Sequence, residues 1–175
     1  VLNAPGADIQ GAEIEINWLA TERLRIDGSI SYLDTDFSSF ETQNPMRPEL
    51  GTVNLDGNSL LRSPELQATL VVDYDIPMES GLLTLSGEWA FMDEQYFTIF
   101  NDPEALEPSR NMVNLRVRFE PSSDNLENLS FTAFVQNARD EEYANGYILA
   151  AFTGAVNNTF GPPRTWGIQI NYATN

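Results

Sequence analysis

Thr165-Trp166-Gly167-Ile168-Gln169-Ile170-Asn171-Tyr172 changes side-chain character at every step. In an extended chain Trp166, Ile168, Ile170 and Tyr172 share one face, and Thr165, Gly167, Gln169 and Asn171 share the other. A period of two marks a β-strand lying between unlike surroundings. Six stretches upstream repeat the pattern. In Ile9–Leu19, Ala12, Ile14, Ile16 and Trp18 oppose Gly11, Glu13, Glu15 and Asn17. In Leu24–Phe37, Leu24, Ile26, Ile30 and Tyr32 oppose Arg25, Asp27, Ser29 and Ser31. Glu65–Asp75 sets Leu66, Ala68, Leu70, Val72 and Tyr74 against Gln67, Thr69 and Asp73. Leu82–Gln95 sets Leu83, Leu85, Trp89 and Phe91 against Thr84, Ser86 and Glu88. Asn111–Glu120 places Val113, Leu115, Val117 and Phe119 opposite Asn114, Arg116 and Arg118. Leu129–Asn137 places Leu129, Phe131, Ala133 and Val135 opposite Ser130, Thr132 and Gln136.

The gaps alternate in length. Ala20–Arg23, Ile76–Gly81 and Pro121–Asn128 are short, whereas Ser38–Pro64, Tyr96–Ser109 and Ala138–Pro163 are long. Up-and-down antiparallel strands with tight turns at one rim and long loops at the other are what a bacterial outer-membrane barrel requires. A soluble two-sheet sandwich alternates as well, with its apolar residues turned inward, and stands as the second reading. Aromatic placement favours the barrel. Trp18, Tyr74, Phe119 and Tyr172 lie beside the short turns, and Tyr32, Trp89, Phe91 and Trp166 lie beside the long loops. Two aromatic rings bracketing an aliphatic band match the girdles at the two membrane interfaces. The opposite face, with Glu13, Glu15, Arg25, Asp73, Glu88, Arg116, Arg118 and Gln169, is then the lumen wall.

Composition narrows the chemistry. The 175 residues contain no cysteine and no histidine, so disulfides, thiolate or imidazole metal sites and Ser-His or Cys-His pairs are out of reach. A net charge of −17 opposes nucleic-acid binding, because the phosphate backbone is repelled. All 9 basic residues are arginine. No apolar run is long enough for a transmembrane helix, and no leader follows Val1. Seven strands would leave two open edges, so partner strands are expected upstream of Val1.

Four segments resemble TonB-dependent outer-membrane receptors. Ala7-Asp8-Ile9-Gln10-Gly11-Ala12-Glu13-Ile14-Glu15 is similar to that family's late Gly-x-Glu-x-Glu strand. Leu55-Asp56-Gly57-Asn58 followed by Ser63-Pro64-Glu65 resembles its loop into the next downward strand. Asn137-Ala138-Arg139-Asp140-Glu141-Glu142-Tyr143 resembles its Asn-Leu-x-Asp-x-x-Tyr element, and Gly161-Pro162-Pro163-Arg164 its Gly-x-Pro-Arg signature. The resemblance implies that residues 1–175 are the C-terminal part of a 22-stranded barrel in the outer membrane. Its implied partners are the lipid bilayer, the rest of the barrel, a plug domain, TonB acting through an N-terminal part outside this chain, and a small-molecule or metal-chelate ligand such as a ferric siderophore. No enzymatic activity and no cofactor are implied. Members usually end on an aromatic, whereas Ala173-Thr174-Asn175 follow Tyr172 here.

Several groups carry a functional and a plainer reading. In Tyr96–Ser109, Phe97, Phe100, Asn101 and Asp102 mix rings with polar groups suited to a ligand at the outer mouth; packing on the rim is the plainer expectation. Tyr147, Ile148, Leu149 and Phe152 are expected to extend the strands above the membrane, with folding inward over the lumen as the second reading. Glu13 and Glu15, roughly 7 Å apart along one strand, have the spacing of paired acid and base carboxylates, but on a lumen face they suit a plug contact or hydration. Arg116 and Arg118 suit an anionic substrate, with pairing to Glu88 the more economical expectation. Asp34, Asp36 and Glu41 offer oxygen ligands for Ca²⁺ without EF-hand spacing, and a solvated acidic loop is expected instead. Asn137, Asp140 and Tyr143 are expected to shape the chain leaving the sixth strand, and Pro162-Pro163 to fix the start of the seventh.

Overall fold

The computed structural model describes residues 6–123, 126, 128–150 and 155–173. Among the described residues thirteen strands occur in chain order: β1 Gly6–Thr21, β2 Leu24–Ser38, β3 Glu41–Gln43, β4 Thr52–Asn54, β5 Leu66–Met78, β6 Gly81–Met92, β7 Gln95–Tyr96, β8 Leu106–Glu107, β9 Arg110–Pro121, β10 Leu129–Gln136, β11 Ala144–Ala150, β12 Ala155–Phe160 and β13 Thr165–Tyr172. Seven form one antiparallel sheet in the order β1-β2-β5-β6-β9-β10-β13; β3-β4, β7-β8 and β11-β12 are separate hairpins. Sequential neighbours pair throughout the large sheet, as in an up-and-down barrel wall. The second sheet that a sandwich requires does not form among the described residues, which corrects the soluble reading.

Register keeps unlike residues on opposite faces. One ladder row runs Trp18, Ile26, Val72, Gly87, Leu115, Val135, Trp166; another runs Tyr74, Leu85, Val117, Ala133, Ile168. A neighbouring row on the other face runs Arg25, Asp73, Ser86, Arg116. A one-residue slip would exchange the two faces, so hydrophobic patterning and turn length fix the pairing together. Two turns are tight, leaving only Glu22-Arg23 between β1 and β2 and Glu79-Ser80 between β5 and β6. Most strands run one to three residues beyond their sequence-read limits because the ladder continues past the apolar–polar contrast. The fourth is shorter: β6 ends at Met92, and Gln95 belongs to the β7-β8 hairpin.

Among the described residues no core lies against the apolar face of the sheet. Ile14 is 60% exposed, Leu115 50% and Ile168 76%, all on the apolar face. Buried apolar side chains instead gather at the end of β2 and in the long loops, where Phe37, Phe40 and Leu55 pack with Val53, Leu60, Ile99 and Phe100. A contiguous apolar face of this extent on a soluble monomer would drive aggregation. β1 and β13 also each lack a neighbour on one side among the described residues. Expressed alone, this chain is therefore expected to aggregate or require detergent, because open edges pair promiscuously. Size-exclusion chromatography checks this, and a monodisperse, detergent-free monomer with a cooperative melt would contradict it.

Candidate functional site

The polar face carries a concavity of about 350 Å³ lined from five strands by Asp73, Ser86, Asn114, Arg116, Thr132 and Gln169. A hydroxyl satisfies one of its carboxylates, Ser86 Oγ donating to Asp73 at 2.5 Å, and outside it Thr84 Oγ1 donates to Asp75 at 2.7 Å. The expected pairing of Arg116 and Arg118 with Glu88 is not formed. Arg118 bonds Glu120 on its own strand at 2.8 Å, since a two-residue step keeps both on one face, and Arg116 makes no ion pair among the described residues. Glu88 lies opposite Val71 and Asn114. Glu13 and Glu15 stand opposite Ser31 and Ser29, so no opposed charge meets them across the ladder. Gln169 donates to Asn171 at 2.7 Å.

On the other face, Trp89 stacks with Phe91 at 6.4 Å and donates its indole N–H to Asn111 at 3.1 Å. Trp18 and Trp166 occupy opposite ends of one ladder row. Tyr32 lies opposite Ala12 and Leu66, Phe119 opposite Leu83 and Phe131, and Tyr172 opposite Leu129.

The outer loops pack on one another. Phe97 lies between the Arg62 guanidinium, 5.1 Å from its centroid, and the Tyr147 ring at 4.6 Å. Phe100 joins the loop core. Asn101 adopts φ 50° and donates to the Ser59 carbonyl at 3.4 Å, and Asp102 meets Arg47 at 3.8 Å. Each of the four residues read as mouth contacts is thus engaged with another loop segment. Leu55-Asp56-Gly57-Asn58 knots the first loop: Asp56 accepts the Phe40 N–H at 2.8 Å, and Asn58 donates to the Ile99 carbonyl at 3.0 Å.

The third loop forms its own hairpin, β11-β12, rather than continuing the large sheet. Its Tyr147 hydroxyl bonds Glu107 at 3.2 Å, and Glu107, 4% exposed, also accepts the Ala144 N–H at 2.8 Å. Burial, then the adjacent Glu107 carboxylate, pushes the Tyr147 hydroxyl above its ordinary pKa. Ile148 is exposed, whereas Phe152, the Leu149 side chain, Thr174 and Asn175 lie outside the described residues. Asp34 accepts from Gln10 at 2.9 Å, and no carboxylate group suited to a metal occurs among the described residues.

The elements at 137–143 and 161–164 meet as a clasp. Asn137 Nδ2 donates to the carbonyls of Glu141 at 2.8 Å and Pro162 at 3.3 Å, and its Oδ1 accepts the Glu141 N–H at 2.8 Å. Asp140 accepts the Arg164 N–H at 2.9 Å, and Gly161 N–H donates to the Tyr143 carbonyl at 2.8 Å. The Tyr143 ring packs against Gly161, where any Cβ would overlap it. Arg110, which the sequence reading placed just outside the fifth strand, holds its guanidinium 4.4 Å from that ring.

A polar wall, an opposite uncovered apolar wall and loops massed at one rim define a membrane β-barrel portion. The TonB dependent receptor-like β-barrel family matches residues 1–138, and the chain belongs to that family of outer-membrane receptors. No curated protein matches it by sequence. Among solved structures it resembles the ferric yersiniabactin uptake receptor FyuA from Yersinia pestis, with TM-score 0.78, 17% identity, and coverage of 95% of this chain and 23% of that one. It also resembles BauA, the ferric preacinetobactin receptor from Acinetobacter baumannii, with TM-score 0.70, 24% identity, and coverage of 95% and 22%. The copper transporter OprC matches with TM-score 0.62, 17% identity, and coverage of 95% and 24%. The chain thus spans about a quarter of the length of these relatives.

Proposed function

We propose that this chain is the C-terminal wall of an outer-membrane active-transport receptor for a scarce solute, a ferric siderophore or similar chelate, energised through TonB by parts outside the chain. The observation that carries it is the two-faced sheet with an uncovered apolar side, joined to membership of this receptor family. In this reading Trp18, Tyr74, Phe119 and Tyr172 form the periplasmic girdle, and Tyr32, Trp89, Phe91 and Trp166 the outer one. The ladder supports that division. Barrel strands tilt by about 40°, so a row perpendicular to them climbs as it crosses the wall. Six strand-to-strand steps from Trp18 to Trp166, at about 4.8 Å each, rise roughly 18 Å, most of an apolar band about 25 Å tall. A row joining an inner aromatic to an outer one is what a tilted wall demands. Glu13, Glu15, Arg25, Asp73, Glu88, Arg116, Arg118 and Gln169 then face the lumen and its plug domain.

Two of the relatives are iron-chelate receptors and one is a copper transporter, which argues that the wall alone does not select the solute. The proposed selectivity lies in the outer loops, including Phe97, Phe100, Asn101 and Asp102, together with the plug. The test is energised accumulation of radiolabelled ferric chelates by cells with and without the intact receptor, repeated in a strain lacking TonB. Uptake lost in both deletions is expected. Unchanged accumulation of every chelate would end the iron reading.

The faces are checked separately. Single cysteines at Leu70, Leu85, Leu115 and Ile168 are expected to resist a water-soluble maleimide in membranes, whereas cysteines at Thr69, Ser86 and Gln169 react. Equal labelling of both sets would overturn the lipid and lumen assignment.

A further inference from the structure

We infer that Arg110, at the outer end of β9, is a receiving site for an anionic oxygen, such as a carboxylate, catecholate or phosphate, presented from the lumen side. Its Nη1 is shielded from solvent and has no hydrogen-bond partner among the described residues. A guanidinium carries five N–H donors and stays charged, and a buried donor without an acceptor costs free energy unless something completes it. Tyr143 supplies a π-face at 4.4 Å, which holds the cation but accepts no N–H bond in the guanidinium plane. The ring itself is fixed by Gly161 and by the Asn137 clasp, so the guanidinium is preorganised. No carboxylate pairs with Arg110 among the described residues.

Its position suits delivery from the lumen. Period two places Arg110, Arg116 and Arg118 on the same face of β9, below the packed loops. That face is otherwise acidic on β1, β5 and β6, through Glu13, Glu15, Asp73, Asp75 and Glu88, and neutral on β10 and β13, through Ser130, Thr132, Gln136, Gln169 and Asn171. In a chain of charge −17, a strand face with three arginines against the single carboxylate of Glu120, which Arg118 holds, is a local reversal of the field, and it starts at the residue whose donor lacks an acceptor among the described residues.

The anionic oxygen has two possible sources, the solute or a plug loop, and only the first rests on the uptake reading. The deciding experiment is the structure of the intact receptor, once without chelator and once in saturating ferric citrate. It is paired with binding titrations of ferric citrate and a neutral ferric trihydroxamate on wild type, Arg110→Gln and Arg110→Lys. An acceptor oxygen within 3.2 Å of Nη1 is expected. Found in both states on a plug residue, it assigns the plug as source, and the inference stands even if no chelate is transported. Found only with ferric citrate, it assigns the solute, and Arg110→Gln should weaken ferric citrate roughly tenfold, with Arg110→Lys recovering part and the trihydroxamate unmoved. An Nη1 that meets only water, or nothing, in both structures overturns the inference.

Discussion

Arginine in place of Val72 is expected to cost the intact receptor roughly 2–4 kcal/mol, whereas arginine at the adjacent Val71 should change its stability by less than about 1 kcal/mol. The two valines share a strand and nearly a depth, and the introduced charge is identical. Register separates them. Val72 lies between Ile26 and Gly87 on the uncovered apolar face. A guanidinium there gives up hydration in hydrocarbon and can recover it only by snorkelling. Val71 lies between Asp27 and Glu88 on the polar face, so the new cation stands between two carboxylates. Denaturant titration of each variant folded into lipid vesicles measures the difference. If Val71→Arg is the more damaging, the faces are reversed; if both are severe, the polar face is dry.

Much of this wall was legible because alternation is a local property. Each strand displays its two faces, and long spacing against short spacing orders the strands without any tertiary knowledge. Val71 shows where that signal fails. Being apolar among Thr69, Asp73 and Val72, it has no readable side until pairing places it beside Asp27 and Glu88. Arg118 shows a different failure. Attention to the neighbouring strand pointed to Glu88, although Glu120 on the same face of the same strand was nearer in sequence and is the partner formed. The loop core of Phe37, Phe40 and Leu55 was illegible because Phe37 ends a strand while Phe40 and Leu55 come from the irregular segments beyond it, with no period to connect them to Ile99 and Phe100. Arg110 was missed by one residue at a strand boundary, although its even spacing from Arg116 and Arg118 put it on their face. The two motifs at 137–143 and 161–164 were each noticed, but nothing in their spacing says that they touch.

That contact sets the second large effect, at Asn137. Asn137→Ala is expected to destabilise the intact receptor by about 3 kcal/mol, the combined cost of lost hydrogen bonds and backbone strain. The side chain is 2% exposed and bonds three backbone groups, the Glu141 carbonyl, the Glu141 N–H and the Pro162 carbonyl. Alanine leaves all three without that partner, and water has little access to replace it. The backbone at Asn137 also has φ 48°, a left-handed conformation that asparagine tolerates better than alanine. Asn137→Gly separates the two contributions, since glycine removes the amide but relieves the backbone. It should recover about 1 kcal/mol relative to alanine, leaving the hydrogen-bond loss as the remainder. The Asn137 N–H bonds Asn114 Oδ1 at 2.9 Å, so Asn114→Ala should reproduce a smaller part of the loss by freeing the clasp from β9. Refolding each variant into vesicles and titrating with urea gives the comparison, with heat-modifiable gel mobility reporting whether the barrel closes. A wild-type midpoint for Asn137→Ala would mean that the β10–β13 ladder alone holds the last strand, and that the clasp contributes nothing to it.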